Sequence, residues 1–232
     1  MDLASLQKEY AIAKASDRFP VHKRFTKELI SSNDADVIRY HYALLSDREN
    51  ARLYQLVRAA FIERGEPGEA FLVRRAAEET DQALRADILH LLGRLRNPLG
   101  LKLARDAINS DDREMRHRAC YVLGWMGDDE DIDLLRDRLL KDLDPYVRGT
   151  AATALRQVWF RLPAAKPRLL KALREALEGE ENSEALKLII LSVQTIMEKR
   201  FGLRENIEER TITGDVDAAK KKCSQALARL GP

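Results

Sequence analysis

Cysteine is almost missing from this sequence: Cys120 and Cys223 are the two thiols in 232 residues. The two sit in expected helices far apart in the chain. Cys120 therefore reads as a reduced core side chain and not as half of a disulfide. No apolar run reaches the roughly 18–20 residues that a membrane-spanning helix needs, so no membrane partner is expected. The opening Met1-Asp2-Leu3-Ala4 has no basic stretch leading into an apolar one, so no secretory signal is expected and the location reads as cytoplasmic. An excess of one charge is lacking as well. Forty Lys and Arg against 38 Asp and Glu leave a net +2, and composition gives no argument for a nucleic-acid partner. Aromatics are sparse at 6%, whereas charged residues reach 34% and hydrophobic ones 45%. That mixture, rich in Ala, Leu, Arg, Glu and Asp, favours helices. No run of alternating β-branched residues reads as a strand. No low-complexity stretch or linker marks a boundary, so residues 1–232 read as one domain.

Signatures of catalysis are absent too. His22, His41, His90 and His117 are the four histidines, and none is followed by Glu, so no His-Glu-x-x-His zinc motif exists. His90 and His117 fall at different angles on the helical wheel and do not read as a shared metal site. No Gly-rich phosphate loop and no nucleophile elbow are found. The expectation is no catalytic residue, no metal and no cofactor.

What the chain does contain is a repeat. Met115-Arg116-His117-Arg118-Ala119-Cys120-Tyr121-Val122-Leu123-Gly124 has a counterpart about 31 residues earlier, Leu84 to Gly93, and another about 32 residues later, Val147 to Arg156. A fixed period of roughly 20–50 residues marks a stacked-repeat protein. On a wheel, Leu84, Ile88, Leu91, Leu92 and Leu95 share one side. So do Met115, Ala119, Val122, Leu123 and Met126, and Val147, Ala151, Ala154, Leu155 and Val158. Each set is the buried stripe of an amphipathic helix. Leu89, Cys120 and Ala152 widen the stripe, as suits an inner helix wedged between neighbouring pairs. An outer helix precedes each one, over Glu69–Glu78, Pro98–Ile108 and Asp129–Leu140. Ala70, Leu101 and Ile132 stand 31 apart, and so do Pro67 and Pro98, which sit where a helix should begin. Ser110-Asp111-Asp112 and Lys141 to Pro145 supply capping residues. Asp128-Asp129-Glu130-Asp131 reads as an acidic helix start. Arg85, Arg116 and Arg148 hold the second position of three inner helices, against the helix dipole. Acidic residues lie just upstream of each, so an ion-pair ladder between repeats is expected.

An aspartate followed by Val-Arg, two alanines three apart and Leu-Gly, with a helix in front, resembles the HEAT repeat. The likeness is strongest to the short HEAT-like repeats of phycobilisome lyases. Met115 to Gly124 fits well, Val147 to Leu155 fits with Arg156 in place of glycine, and Leu84 to Gly93 fits more loosely. The resemblance implies an all-α protein, an α-solenoid of stacked antiparallel helix pairs. Under it, residues 1–46 are an N-terminal helical cap, 47–199 the repeats and 200–232 a C-terminal capping helix. Helices are expected over 2–15, 21–31, 34–46, 47–64, 168–177, 183–199 and 215–230, the last capped by Gly231. Trp159 to Pro167 reads as a long connection. Families with such repeats include the bilin lyase subunits. They also include alkylpurine DNA glycosylases that use Trp and Asp on a basic concave surface, for which Trp125, Trp159 and Asp129 are the residues to weigh. The iron-dependent deoxyhypusine hydroxylases carry His-Glu pairs, which this chain lacks.

The wheel places Asp87, His90 and Arg94 away from the buried stripe. One repeat on, the same angles hold Arg118, Tyr121 and Trp125, and the next repeat offers Thr150, Thr153 and Gln157. Stacking would set these nine side by side on the concave face, which solenoids use for binding. Tyr, Trp and Arg are frequent at binding hot spots. The reading is a non-catalytic interaction module that holds a protein or peptide on this face. The alternative is a lyase-like or glycosylase-like enzyme or ligand-binder.

Overall fold

Short polar side chains start the helices. Asp2, Asp34, Asn50, Asp81, Asp112, Asp144, Asn182 and Asp215 each accept a hydrogen bond from a first-turn N–H, satisfying donors a helix cannot pair internally. A computed structural model describes residues 2–206, 209 and 211–230, so the expected cap Gly231 lies outside the described residues. The helices are α1 (Leu3–Lys14), α2 (Phe19–Leu29), α3 (Ala35–Ala43), α4 (Ala51–Ile62), α5 (Glu66–Glu78), α6 (Gln82–Arg94), α7 (Pro98–Ala107), α8 (Arg113–Met126), α9 (Asp131–Lys141), α10 (Pro145–Arg161), α11 (Lys166–Gly179), α12 (Ser183–Met197) and α13 (Val216–Ala228). Strands β1 (Arg204–Asn206) and β2 (Thr211–Thr213) lie between the last two helices. The fold class is all-α. Among the described residues, no helix is long and apolar enough to cross a membrane. Two compact units are present, residues 1–100 and 101–232.

In the first unit, Phe25, Leu29, Leu45, Phe61, Leu72, Ile88, Leu91 and Leu92 make a core sealed from solvent. Two buried polar clusters sit beside it. Arg64 donates to the carbonyls of Leu29 and Ser32, both at 2.7 Å, and to His41 Nδ1 at 2.8 Å. It thereby closes the C-terminal end of α2, where free carbonyls favour a cation. His41 in turn donates from Nε2 to the Val57 carbonyl at 2.8 Å. Burial, and then the Arg64 charge, hold its pKa down at about 3, so the ring is neutral. The second cluster centres on Asp87 and is described with the candidate site. Asp47 does not open α4 as expected. Leu44–Ser46 form a 3-10 turn, Asp47 pairs with Lys14 at 2.6 Å, and Asn50 is the cap.

Glu79 ties α3 to α5 through Tyr42, whose hydroxyl donates to it, and through Arg75 at 2.8 Å. Burial raises its pKa, but the Tyr42 bond, the Asp81 N–H, the Arg75 guanidinium and the Thr80 N–H together outweigh that and bring it to about 2. A carboxyl depressed in the fold adds stability above its unfolded value and loses it as pH falls through the folded one. The urea midpoint is therefore expected to fall between pH 4.5 and 2. Glu79→Gln should be less stable at pH 7 and lose less over that interval, measured by circular dichroism.

The second unit is a stack of helix pairs. The inner helices α8, α10 and α12 lie side by side, α10 in the middle, with α9 and α11 as the outer layer and α13 packed on α11 and α12. Glycine sets the spacing. A Cβ on Gly124 would stand 2.9 Å from the Ala154 Cα, and one on Gly149 would meet the Leu188 side chain. The expected ladder is present for two arginines, with a different partner. Arg116 donates to Asp142 at 2.8 and 3.0 Å, and Arg148 to Glu180 at 2.6 and 2.8 Å. These acids belong to the turn of the following repeat. The upstream turns contribute carbonyls instead, from Ser110 and Asp111 to Arg116 and from Asp142 to Arg148. Exposed Arg85, in the first unit, donates weakly to Gln82 at 3.5 Å.

Two expectations are corrected here. Trp159 and Phe160 continue α10 and are not a connection. The helix ends at Leu162, which leaves the helical region (φ −127°, ψ 69°) because the following Pro163 disfavours it there. The last turn is held by Arg161, which donates to the carbonyls of Gly124 and Gly127 at the end of α8. The second correction is the antiparallel hairpin, in which Arg204 pairs with Thr213 and Asn206 with Thr211. Gly214, at φ +127°, closes it where a Cβ would sit 2.4 Å from the Gly202 carbonyl. Strands of three residues, Arg204-Glu205-Asn206 and Thr211-Ile212-Thr213, are too short for an alternation to announce them.

Candidate functional site

Helix α8 carries His117, Arg118, Tyr121 and Trp125 at the three- and four-residue spacings that share one helical face. Tyr121 and Trp125 stack with ring centres 5.6 Å apart and planes at 26°. His117 meets Tyr121 edge-on at 4.9 Å and Tyr146, from the start of α10, at 4.5 Å. The Arg113 guanidinium lies 5.0 Å over the Tyr146 ring and bonds Asp144 at 2.7 Å. The result is a continuous strip, Arg113–Tyr146–His117–Tyr121–Trp125, along two adjacent helices. Its rings are offset or tilted, the arrangements aromatic quadrupoles prefer. Tyr146 is exposed, Tyr121 and Trp125 are half-buried.

Charge beside the strip is held in place. Arg118 is buried and pairs with Glu114 at 2.6 Å. His117 lies 3.7 Å from the same carboxylate, too far for a hydrogen bond. Burial pushes its imidazole pKa down, and the Glu114 carboxylate only partly opposes that, so the ring is neutral at pH 7. From α10, Thr150 and Thr153 turn their hydroxyls back to the carbonyls of Tyr146 and Gly149, four residues earlier, at 2.8 and 3.1 Å. Both satisfy their donors internally. Gln157 lies against Gly124, its amide oxygen where a Cβ would meet it at 2.5 Å.

Asp87, His90 and Arg94 belong to α6 in the first unit. Asp87 does not reach an open surface. It is 1% exposed, accepts the one Tyr54 hydroxyl proton, shared between its two oxygens at 2.6 and 2.8 Å, and pairs with Arg48 (2.9 Å) and Arg58 (3.4 Å). The wheel gives direction but not what stands opposite, and here α4 stands opposite. His90 is buried and Arg94 exposed. Asp129 pairs with Arg168 at 2.8 Å and Trp159 packs on Phe160 at 5.0 Å, so that carboxylate and that indole each have a local role. Cys120 and Cys223 are sealed, and burial pushes both thiols up to about 12, leaving no thiolate at neutral pH.

The model of the HEAT repeats family matches residues 69–156. This stretch is a run of HEAT repeats. In fold, the chain is similar to one from the complex of CpcE and CpcF of phycocyanin lyase from Nostoc sp. PCC7120. The TM-score is 0.58 at 18% identity, covering 68% of this chain and 99% of that one. No curated protein matches the sequence. The HEAT segment holds every expected face residue except Gln157, and it holds the whole ring strip. His117, Tyr146, Arg113 and Glu114 were missed by sequence reasoning. Their signal was present: His117 stands four before Tyr121, and Tyr146 opens the next inner helix.

Proposed function

We propose that this chain is the partner-binding subunit of a lyase-type assembly, and that it holds its partner on the α8–α10 face. The observation that carries this reading is the ring strip from Tyr146 to Trp125, flanked by Arg113 and Arg118. Aromatic and arginine side chains are frequent among the few residues that carry most binding free energy at protein interfaces, and here they are gathered along two adjacent helices. The similar solved chain belongs to a complex of two proteins described as a phycocyanin lyase. That likeness supports a lyase-type subunit over a free-standing scaffold. The HEAT repeats themselves support a role in holding another chain.

The test starts with capture of the partner by the tagged full chain and mass spectrometry. Trp125→Ala and Arg118→Glu, each shown to be folded by circular dichroism, are expected to weaken that partner at least tenfold, about 1.4 kcal/mol. Full affinity in both variants would place the face elsewhere. A second reading, an adaptor with no small molecule, rests on the same strip. Adding a bilin to the chain with its partner separates the two: a shift in visible absorption supports the lyase-type subunit, and an unchanged spectrum with intact partner binding supports the adaptor.

A further inference from the structure

Away from the ring strip, the second unit has a cavity of about 530 Å³ between α11 and the end of the last helix, lined by Lys166, Pro167, Arg168, Leu170, Lys171, Arg174 and Leu230. Its volume lies within the roughly 300–1,000 Å³ typical of small-molecule sites. Four of the seven lining residues are cations and none is acidic. The cations divide into two kinds. Arg168 is committed to Asp129 and Asp133 at 2.8 and 2.7 Å, and Arg174 donates to the Leu227 carbonyl at the end of α13. Among the described residues, neither Lys166 nor Lys171 is paired with a carboxylate. The lining is completed by Pro167, buried Leu170 and Leu230, the last 55% exposed.

We propose that this cavity binds an amphipathic carboxylate: a single acid group held by Lys166 and Lys171, with an apolar body against Pro167, Leu170 and Leu230. A polyanion fits less well, because the two arginines are already neutralised or fixed. A neutral apolar molecule would use the apolar lining but gain no charge-assisted hydrogen bond from the two ammonium groups.

The full chain is titrated with 8-anilinonaphthalene-1-sulfonate, an apolar aryl anion whose fluorescence rises on binding, and then with dodecanoate as competitor. Saturable binding displaced by dodecanoate, but at least tenfold less well by dodecanol or dodecyltrimethylammonium, is the expected result. Lys166→Glu with Lys171→Glu should raise the dissociation constant at least tenfold, and Leu230→Asp should also weaken binding, with the helical circular dichroism unchanged in both. Equal competition by dodecanol, unchanged binding by the double variant, or no saturable binding would each overturn the proposal.

Discussion

Asp87→Ala is expected to destabilise the first unit by about 3–5 kcal/mol, the usual loss when one member of a buried charged pair is removed. The carboxylate is the point where three side chains of that unit meet. The Tyr54 hydroxyl donates to it, 2.6 and 2.8 Å from its two oxygens, Arg58 approaches to 3.4 Å and Arg48 to 2.9 Å. Both arginines also lie about 5 Å from the Tyr54 ring. Without the carboxylate, Arg58 stays buried with its charge uncompensated, keeping only the neutral Gln55 amide oxygen at 2.7 Å and the Tyr54 ring, and the Tyr54 hydroxyl loses its acceptor. Asp87→Asn keeps an acceptor and loses the charge, so its loss should be smaller. Replacing Asp87 with Leu, Arg58 with Met and Tyr54 with Phe together should recover much of the stability, since apolar side chains of similar volume often substitute for a buried ionic group. Urea unfolding followed by circular dichroism measures all three. A loss under about 0.5 kcal/mol for Asp87→Ala, the range of ordinary surface changes, would show that the network does not hold α4 to α6.

The same residue shows where sequence reasoning stops. Periodicity placed Asp87 off the apolar stripe of its helix, and that is true of its direction. What it meets there is set by α4, whose Tyr54 and Arg58 lie 33 and 29 residues away in the chain. Nothing in a helical wheel reports on those. The inner helices, the Asp112 and Asp144 caps and the two ladder arginines, though not their acidic partners, were legible because each depends on a pattern within one repeat or between adjacent ones. Tyr121 and Trp125 were placed on a shared face for the same reason. His117 escaped because a histidine on a half-buried face has no fixed role until its neighbours are known. Tyr146 escaped because its ring reaches back to the previous inner helix. The hairpin escaped because its register depends on glycine conformation and on Gln194, which accepts from the N–H groups of Phe201 and Leu203 and donates to the Leu203 carbonyl.

Gly124 and Gly149 occupy inner helices that touch their neighbours, yet alanine is expected to act on them differently. At Gly124 the new Cβ would lie 2.9 Å from the Ala154 Cα and 3.0 Å from its Cβ. Those are backbone and near-backbone atoms of α10 and cannot turn aside. The helices must separate, and overpacking of this kind costs about 1–3 kcal/mol. Helix propensity returns up to about 1 kcal/mol, because glycine is the poorer helix former. Gly124→Val adds a branched side chain to the same gap without that return, and a loss of about 2–3 kcal/mol is expected. At Gly149 the close atom is the Leu188 Cδ1, at 2.6 Å, while the Ala185 Cα stands at 3.5 Å. A leucine tip can change rotamer, so Gly149→Ala should be neutral to within about 1 kcal/mol, the propensity gain set against a small repacking. Trimming the partner gives a control: Ala154→Gly should be destabilising alone and should restore only part of the loss when combined with Gly124→Ala, because it removes the Cβ at 3.0 Å and leaves the Cα at 2.9 Å. Trp125 adjoins Gly124 and serves as the fluorescent reporter of α8 during unfolding. Equal losses at the two glycines, or no coupling between positions 124 and 154, would mean that the spacing of the inner helices is not set by this contact.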